Sequence, residues 1–195
     1  MSKLKKISKF LSLQLDFYLF FKNPMNVLKQ LVENSIDANS TCLNIELEGY
    51  GFDLIEVRDN GCGIFKDDLL FIFKGNVTDK ISNICDLKNL RTYGCRGKAL
   101  SIISSVSKLK IISKPNEQDY AWSILLDQEK FFLFPDLYNN GTLVSITDLY
   151  YNLPDENKLF LKKRYNYHDI NDMIKIFILG NPEIDFRIKY GKKLV

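Results

Sequence analysis

Asn23-Pro-Met-Asn-Val-Leu-Lys-Gln-Leu-Val-Glu-Asn-Ser-Ile-Asp-Ala-Asn39 is the stretch whose reading decides the fold. Asn23 can cap the free amides of a helix start, and Pro24 falls in the first turn, where its missing N–H costs nothing. Leu28, Leu31, Val32, Ser35 and Ile36 recur at helical spacing as an apolar or small stripe. Asn26, Gln30, Glu33, Asn34 and Asp37 form a polar stripe opposite. The spacing predicts a helix to about Asn39 with one face for a core and one face rich in carboxamides and carboxylates.

Outward from that helix the chain alternates between layers. Residues 1–22 mix Lys with Phe and Leu, and are expected to pack on the helix as a helix or strand through Leu11, Leu13, Leu15 and neighbouring aromatics. Leu43-Asn-Ile-Glu-Leu47 alternates with period two and reads as a strand. Gly49-Tyr-Gly51 reads as a hairpin turn, and Leu54-Ile-Glu-Val57 as the returning strand, which runs into Asp59-Asn-Gly-Cys-Gly63. From residue 64 to residue 100 the periodicity loosens, as in a functional loop or lid. A short helix is expected over 99–106, strands over 109–113, 121–126, 131–134, 142–146 and 185–190, and helices over 154–163 and 168–179. A helix–strand–turn–strand opening followed by more strands is a layered α/β beginning.

Composition bounds the function. The 195 residues carry 27 basic and 24 acidic side chains, a net charge of +3, so no strong nucleic-acid footprint follows from the total. Cys42, Cys62, Cys85 and Cys95 lie far apart with His168 as the single histidine, which argues against a zinc site and for reduced thiols in an intracellular setting. The apolar run at residues 15–21 is far short of the ~20 residues of a membrane helix and lacks a signal-peptide cleavage site. A soluble intracellular protein with no membrane partner is expected.

Two stretches carry chemistry. The Gly61-x-Gly63 turn after a strand lets backbone approach a flat ligand, and Asp59 before it can accept from an exocyclic amine. Gly94-Cys-Arg-Gly-Lys-Ala-Leu100 enters a helix from a glycine-rich turn, where free amides suit phosphates, though it lacks the P-loop spacing. Each is weak alone. In order and spacing, however, Leu31-Val-Glu-Asn-Ser-Ile-Asp-Ala38, Arg58-Asp-Asn-Gly-Cys-Gly63, Thr78-Asp-Lys-Ile81, Tyr93-Gly-Cys-Arg-Gly-Lys-Ala-Leu100 and Gly141-Thr142 resemble the nucleotide-binding motifs of the MutL family. These are mismatch-repair proteins of the gyrase/Hsp90/histidine-kinase/MutL ATPase superfamily. The resemblance covers about residues 24–190, and through residues 90–100 it is nearest the third MutL homologue of eukaryotes.

The resemblance implies an α/β fold, an α+β two-layer sandwich of the Bergerat ATP-binding type, with a mixed, mostly antiparallel sheet and helices on one face. It implies ATP and Mg²⁺ as ligands. Asn34 would hold the metal through its amide oxygen. Asp59 would read the adenine amine, Gly61 and Gly63 would admit the base, and Thr142 would lie under it. Gly94, Arg96, Gly97, Lys98, Ala99 and Leu100 would grip the phosphates, Thr78 and Lys80 would sit in a lid spanning 64–100, and Asp37 would join the nucleotide site. A second MutL homologue as partner, DNA by analogy, and a nuclear setting follow from the same likeness. Residues 1–195 are expected to be one domain, with the family's second domain and C-terminal dimerisation domain absent.

The sequence departs from the family where hydrolysis is decided. The general base is a Glu four residues before the metal-binding Asn, and that position is Gln30 here. A neutral amide takes no proton from water. Gln30 and Asn34 lie within about 40° of each other on a helix, whereas Glu33 points about 100° from Asn34, toward the flank. Hydrolysis is therefore expected to be slow or lost while ATP binding survives. Lys98 and Cys95 replace a Glu and a Phe of the family pattern, and Asp79 replaces a Ser. Two alternatives stand beside this reading: a working ATPase that uses another carboxylate, and a non-catalytic scaffold that no longer binds nucleotide.

Overall fold

The computed structural model describes residues 7–21, 23–73, 92–94, 97–127, 130–153, 158, 162, 166–191 and 193–194. The N-terminal segment is helix α1 (Lys9–Phe20), and helix α2 (Pro24–Asp37) follows. The side chain of Asn23 caps α2 by accepting from Asn26 N at 2.8 Å. Val27, Leu28, Leu31, Val32 and Ser35 are buried along its inner stripe, and each of the large side chains there contributes about 1.5–3 kcal/mol of apolar burial. The helix stops at Ala38, and Asn39 turns the chain with a φ of +57°.

In α1 Leu13 and the aromatics pack as expected, whereas Leu11 and Leu15 do not. Phe17 is fully buried, Phe21 just beyond the helix nearly so, and Leu13 packs against the same core, but Leu11 and Leu15 are about half exposed. Residues four apart share a helix side, so Leu13, Phe17 and Phe21 take the inner side and Leu11 and Leu15 the outer one.

Among the described residues eight strands form one sheet: β1 (Cys42–Glu48), β2 (Leu54–Asp59), β3 (Lys108–Lys114), β4 (Ala121–Asp127), β5 (Lys130–Asp136), β6 (Gly141–Thr147), β7 (Asp185–Tyr190) and β8 (Lys193–Leu194). Their order is β5-β4-β3-β6-β2-β1-β7-β8. The β1–β7 pair is parallel and the others antiparallel, so the sheet is mixed and mostly antiparallel. Leu43, Ile45, Leu47, Ile55, Val57, Leu109 and Ile111 bury one face in a core shared with α1, α2 and helix α5 (Tyr167–Gly180). Asn44, Glu46 and Glu48 of β1 and Glu56 and Arg58 of β2 alternate with them as polar residues. Glu46 and Glu56 stand directly opposite each other across those strands, a repulsion relieved because Lys189 pairs with Glu46 and Arg58 with Glu56.

The stretch expected as a loop or lid, 64–100, begins with a helix, and residues 74–91 and 95–96 of it lie outside the described residues. Residues 66–72 form helix α3 (Lys66–Ile72), whose Leu69 is fully buried in the core. One buried leucine in about two turns gives too little periodicity to be read from sequence. The helix expected over 99–106 is α4 (Ala99–Ile103), ending at Ser104. Most of the helix expected over 154–163 lies outside the described residues.

Candidate functional site

The polar stripe of α2 and the end of β2 face one cavity of roughly 530 Å³. Gln30, Asn34, Asp37, Asp59, Gly63, Gly94, Gly97, Lys98, Ala99, Leu100 and Thr142 all line it. These residues come from four separated parts of the chain, and the sheet register explains how they meet. Asp59 is paired with Thr142 across β2 and β6, and Thr142 with Ser113 across β6 and β3.

Around Asp59 the fold builds a closed hydrogen-bond set. Ser35 Oγ donates to Asp59 Oδ2 at 2.9 Å, while Gly61 N and Thr142 N donate to Oδ1 at 3.0 and 3.2 Å. Burial pushes the Asp59 carboxyl above the usual carboxylate range, and these hydrogen bonds, from Gly61, Ser35 and Thr142, pull it back in part. Thr142 is buried, and its hydroxyl sits 2.8 Å from Ser113 Oγ. Ser113 Oγ also accepts from Ile64 N, so β3 fixes the chain just past the Gly61–Gly63 turn.

The two turn glycines are also required by the fold itself. A Cβ on Gly61 would lie 2.7 Å from both the Cβ and the carbonyl oxygen of Ala38, and Gly61 is not among the cavity-lining residues. Gly63 has a φ of +74° and would press a Cβ to 2.7 Å from the Lys114 carbonyl. Both serve to seat the turn against α2 and β3, and Gly63 borders the cavity as well. Asn60, which sequence reasoning passed over, staples the same turn to β1: its Oδ1 accepts from Thr41 N and Cys42 N, and its Nδ2 donates to Thr41 Oγ1. Ser35 and Ser113 were missed too. The only signal was a hydroxyl set among apolar residues facing the core.

At the other end of the cavity, Asp37 Oδ1 accepts from Tyr93 N at 2.9 Å and Asp37 Oδ2 from Gly94 N at 3.1 Å. It is therefore a tether for the incoming loop, with its two oxygens aimed at backbone amides. Lys98 lines the cavity and is exposed. Helix α4 has 5 residues, too short for a macrodipole to favour phosphate at its start. Thr78, Asp79, Lys80, Cys95 and Arg96 lie outside the described residues.

Gln30 Nε2 donates to Asn34 Oδ1 at 3.3 Å, one helical turn along the cavity face. Glu33 is not among the lining residues and pairs with Lys29 on the flank, at 3.7 Å. Among the described residues the carboxylates that line the cavity are Asp37 and Asp59, and Gln30 and Asn34 are neutral carboxamides. Among the described residues no group of three His, Cys, Asp or Glu side chains could hold a metal by itself, and no helix is long and apolar enough to cross a membrane.

A profile for histidine kinase-, DNA gyrase B-, and HSP90-like ATPases matches residues 22–131, more than half of the chain. The chain belongs to this ATPase family. Its similar proteins include MutL proteins of bacteria. A DNA mismatch repair protein MutL of Clostridium tetani is 39% identical over 175 residues, 89% of this chain and 28% of that protein. The MutL of Cellvibrio japonicus is 34% identical over 197 residues, all of this chain and 32% of that protein. The chain therefore spans about a third of the length of these relatives. The Aquifex aeolicus MutL ATPase domain complexed with ADP superposes with a TM-score of 0.69 at 27% identity, covering 90% of this chain and 62% of that one. The N-terminal domain of a DNA repair protein superposes at 0.76, also at 27% identity, over 94% of this chain and 54% of that one. This is a MutL-type ATPase domain, with the mixed sheet and helix layer of its family.

Proposed function

We propose that this MutL-type domain binds ATP with Mg²⁺ in the cavity between α2 and the β2–β6 edge, within a DNA mismatch-repair protein, and hydrolyses it slowly or not at all. The carrying observation is Gln30, which lines the cavity at the base position and is hydrogen-bonded to Asn34. The adenine nucleotide is supported by the ADP of the Aquifex domain and by the Asp59 set, an acceptor held in a close, shaped wall. Mg²⁺ that travels with phosphates and waters needs only one or two protein oxygens, and the Asn34 carboxamide offers one. Bound there, the ion would spread the negative charge of the phosphates. The other residues would orient the ligand: Asp59 accepting from the base amine, Thr142 packing beside it, Lys98 and the 97–100 amides facing the phosphates.

Among the described residues, a replacement base has little support. Glu33 lies on the flank, and both cavity carboxylates are engaged by hydrogen-bond donors. Mismatch repair, DNA contact and pairing with another MutL homologue join the proposal through the kinship alone. A nuclear setting would follow only from the eukaryotic branch, and the named relatives are bacterial.

Two assays test this. A titration with a non-hydrolysable ATP analogue should saturate for the wild type and fail for Asn34→Ala, whereas a scaffold without nucleotide would not saturate at all. In a phosphate-release assay, Gln30→Glu should raise turnover by about 10²–10⁴-fold, the usual contribution of a general base. Wild-type turnover equal to that of a related domain with Glu at this position would refute the hydrolytic part.

A further inference from the structure

Strand β5, Lys130-Phe-Phe-Leu-Phe-Pro-Asp136, lies at one edge of the sheet, and among the described residues its only partner strand is β4. Leu133 packs toward the core, and the Phe131 ring lies 5.2 Å from that of Phe73, so the odd residues face the helix layer. Lys130, Phe132, Phe134 and Asp136 take the opposite face. Phe131, Phe132 and Phe134 are 47%, 49% and 39% exposed, an aromatic run on a strand whose outer side is open. Such an edge is a template for another strand.

Pro135 tells which main-chain groups face outward. It has no N–H, and a proline in an edge strand turns its nitrogen away from the neighbouring strand. Alternate residues share that direction, so Leu133 and Phe131 present their amides and carbonyls to the open side. The strand is complementary to itself when reversed. Laid antiparallel on a second copy with Leu133 opposite Leu133, it sets Lys130 opposite Asp136, Phe132 opposite Phe134 and Phe131 opposite Pro135. The Leu133 and Phe131 amides of each copy then donate to the Leu133 and Pro135 carbonyls of the other, and no bond calls on the missing proline N–H. Aromatic and opposite-charge pairs directly across an antiparallel ladder both stabilise it. Among the described residues no carboxylate pairs with Lys130, while Asp136 accepts from Ser123 Oγ and Leu137 N, with Lys110 Nζ at 3.8 Å. Moving the centre of the pairing from Leu133 to Phe132 puts Lys130 opposite Phe134 and loses both ion pairs.

We propose that β5 is a self-association edge, through which two copies of this chain join their sheets antiparallel about a two-fold axis. The pairing uses up the β5 edge of each copy, and the strand at the other edge, β8, is only Lys193–Leu194, so the assembly closes as a dimer. The 7 residues of the strand are far fewer than the ~20–30 a side of a standard interface, so the dimer is weak, with a Kd of ~10–100 µM. It requires no nucleotide and does not rest on the reading of the cavity.

Sedimentation equilibrium of the 195-residue chain without nucleotide, from well below that concentration range to well above it, tests this. The wild type should pass from monomer to dimer with no larger species. Lys130→Asp and Asp136→Lys each set like charges opposite one another, and each should weaken self-association about tenfold or more. An equimolar mixture of the two variants should recover the wild-type Kd within about threefold, because both ends of the mixed pair again join opposite charges. Circular dichroism checks that each variant folds. Should Asp136→Lys not fold, salt gives the reading: screening should weaken the wild-type dimer and strengthen that of Lys130→Asp. A monomer at every concentration overturns the proposal. So do single variants that associate like the wild type, a mixture of folded variants that stays monomeric, or salt slopes of one sign.

Discussion

Asp59 and Asp37 reach the same cavity, one from the end of a strand and the other from the end of a helix, and their surroundings differ in kind. Asp59 is enclosed by its own turn, by α2 and by β6, and the strand register that aligns it with Thr142 also holds the sheet together. Asp37 sits in the last turn of α2, where a negative charge opposes the helix dipole, and it reaches a loop 56 and 57 residues further along the chain. The edge of the Tyr93 ring also packs against Phe177, at 6.3 Å between centroids. One end of the site therefore comes with the fold, while the other hangs on a few side chains. The two ends should fail separately.

The sharpest break is at Gly141, where the Asp59 wall closes. Its φ is +115°, and a Cβ there would stand 2.1 Å from the Asp59 carbonyl oxygen and 2.8 Å from Asn60 Cα. Neither neighbour is a flexible side-chain end, so β2 and β6 must part to admit it. Gly141→Ala should cost about 3 kcal/mol or more of global stability, combining backbone strain with the clash, as read from urea unfolding. A loss below about 1 kcal/mol would mean that the wall is not coupled to the fold.

Asp37→Ala tests the other end at smaller scale. Two amides lose a charged acceptor, worth about 1–3 kcal/mol, but α2 keeps its buried stripe. Hydrogen exchange at Tyr93 and Gly94 should quicken about tenfold or more, while the amides of β2 and β6 keep their protection. Equal quickening in the strands would erase the distinction between the two ends.

What could be read from sequence divides along the same line. The cap at Asn23, the stripe of α2 and the period-two strands are local patterns, and they appear within a residue or two of their expected places. Gln30, Asn34, Asp37, Asp59 and Thr142 were legible because motif order carries spatial information that no single motif has, and they share one cavity. The supports were not legible. Asn60 looked like a turn residue and Ser35 like a small core residue, because their roles depend on partners that only the sheet brings near. Gly61 was read as room for a ligand, whereas the nearest atoms that need the room belong to Ala38. Helix α3 was hidden because its anchoring rests on Leu69, a tertiary contact with no local signature.

The finest test concerns the charge at Asp59. Its native pKa lies above the ordinary 3.8 because burial outweighs three hydrogen bonds. A raised native value means that the folded state holds its proton more tightly than the unfolded one. The stability it contributes is therefore full below the ordinary value and lost as pH rises through the native one. Asp59→Asn is neutral at every pH and keeps an oxygen for the Gly61 and Thr142 amides, so the wall should stand. Relative to wild type, the variant should gain stability as pH climbs through that window and level off above it, as followed by urea unfolding at a series of pH values. The opposite slope would mean that the hydrogen bonds outweigh burial. Nucleotide affinity should move the other way at neutral pH, since the carboxylate is the stronger acceptor for a base amine. One substitution that strengthens the fold and weakens the ligand is the behaviour expected where a charge is kept for binding at the expense of stability.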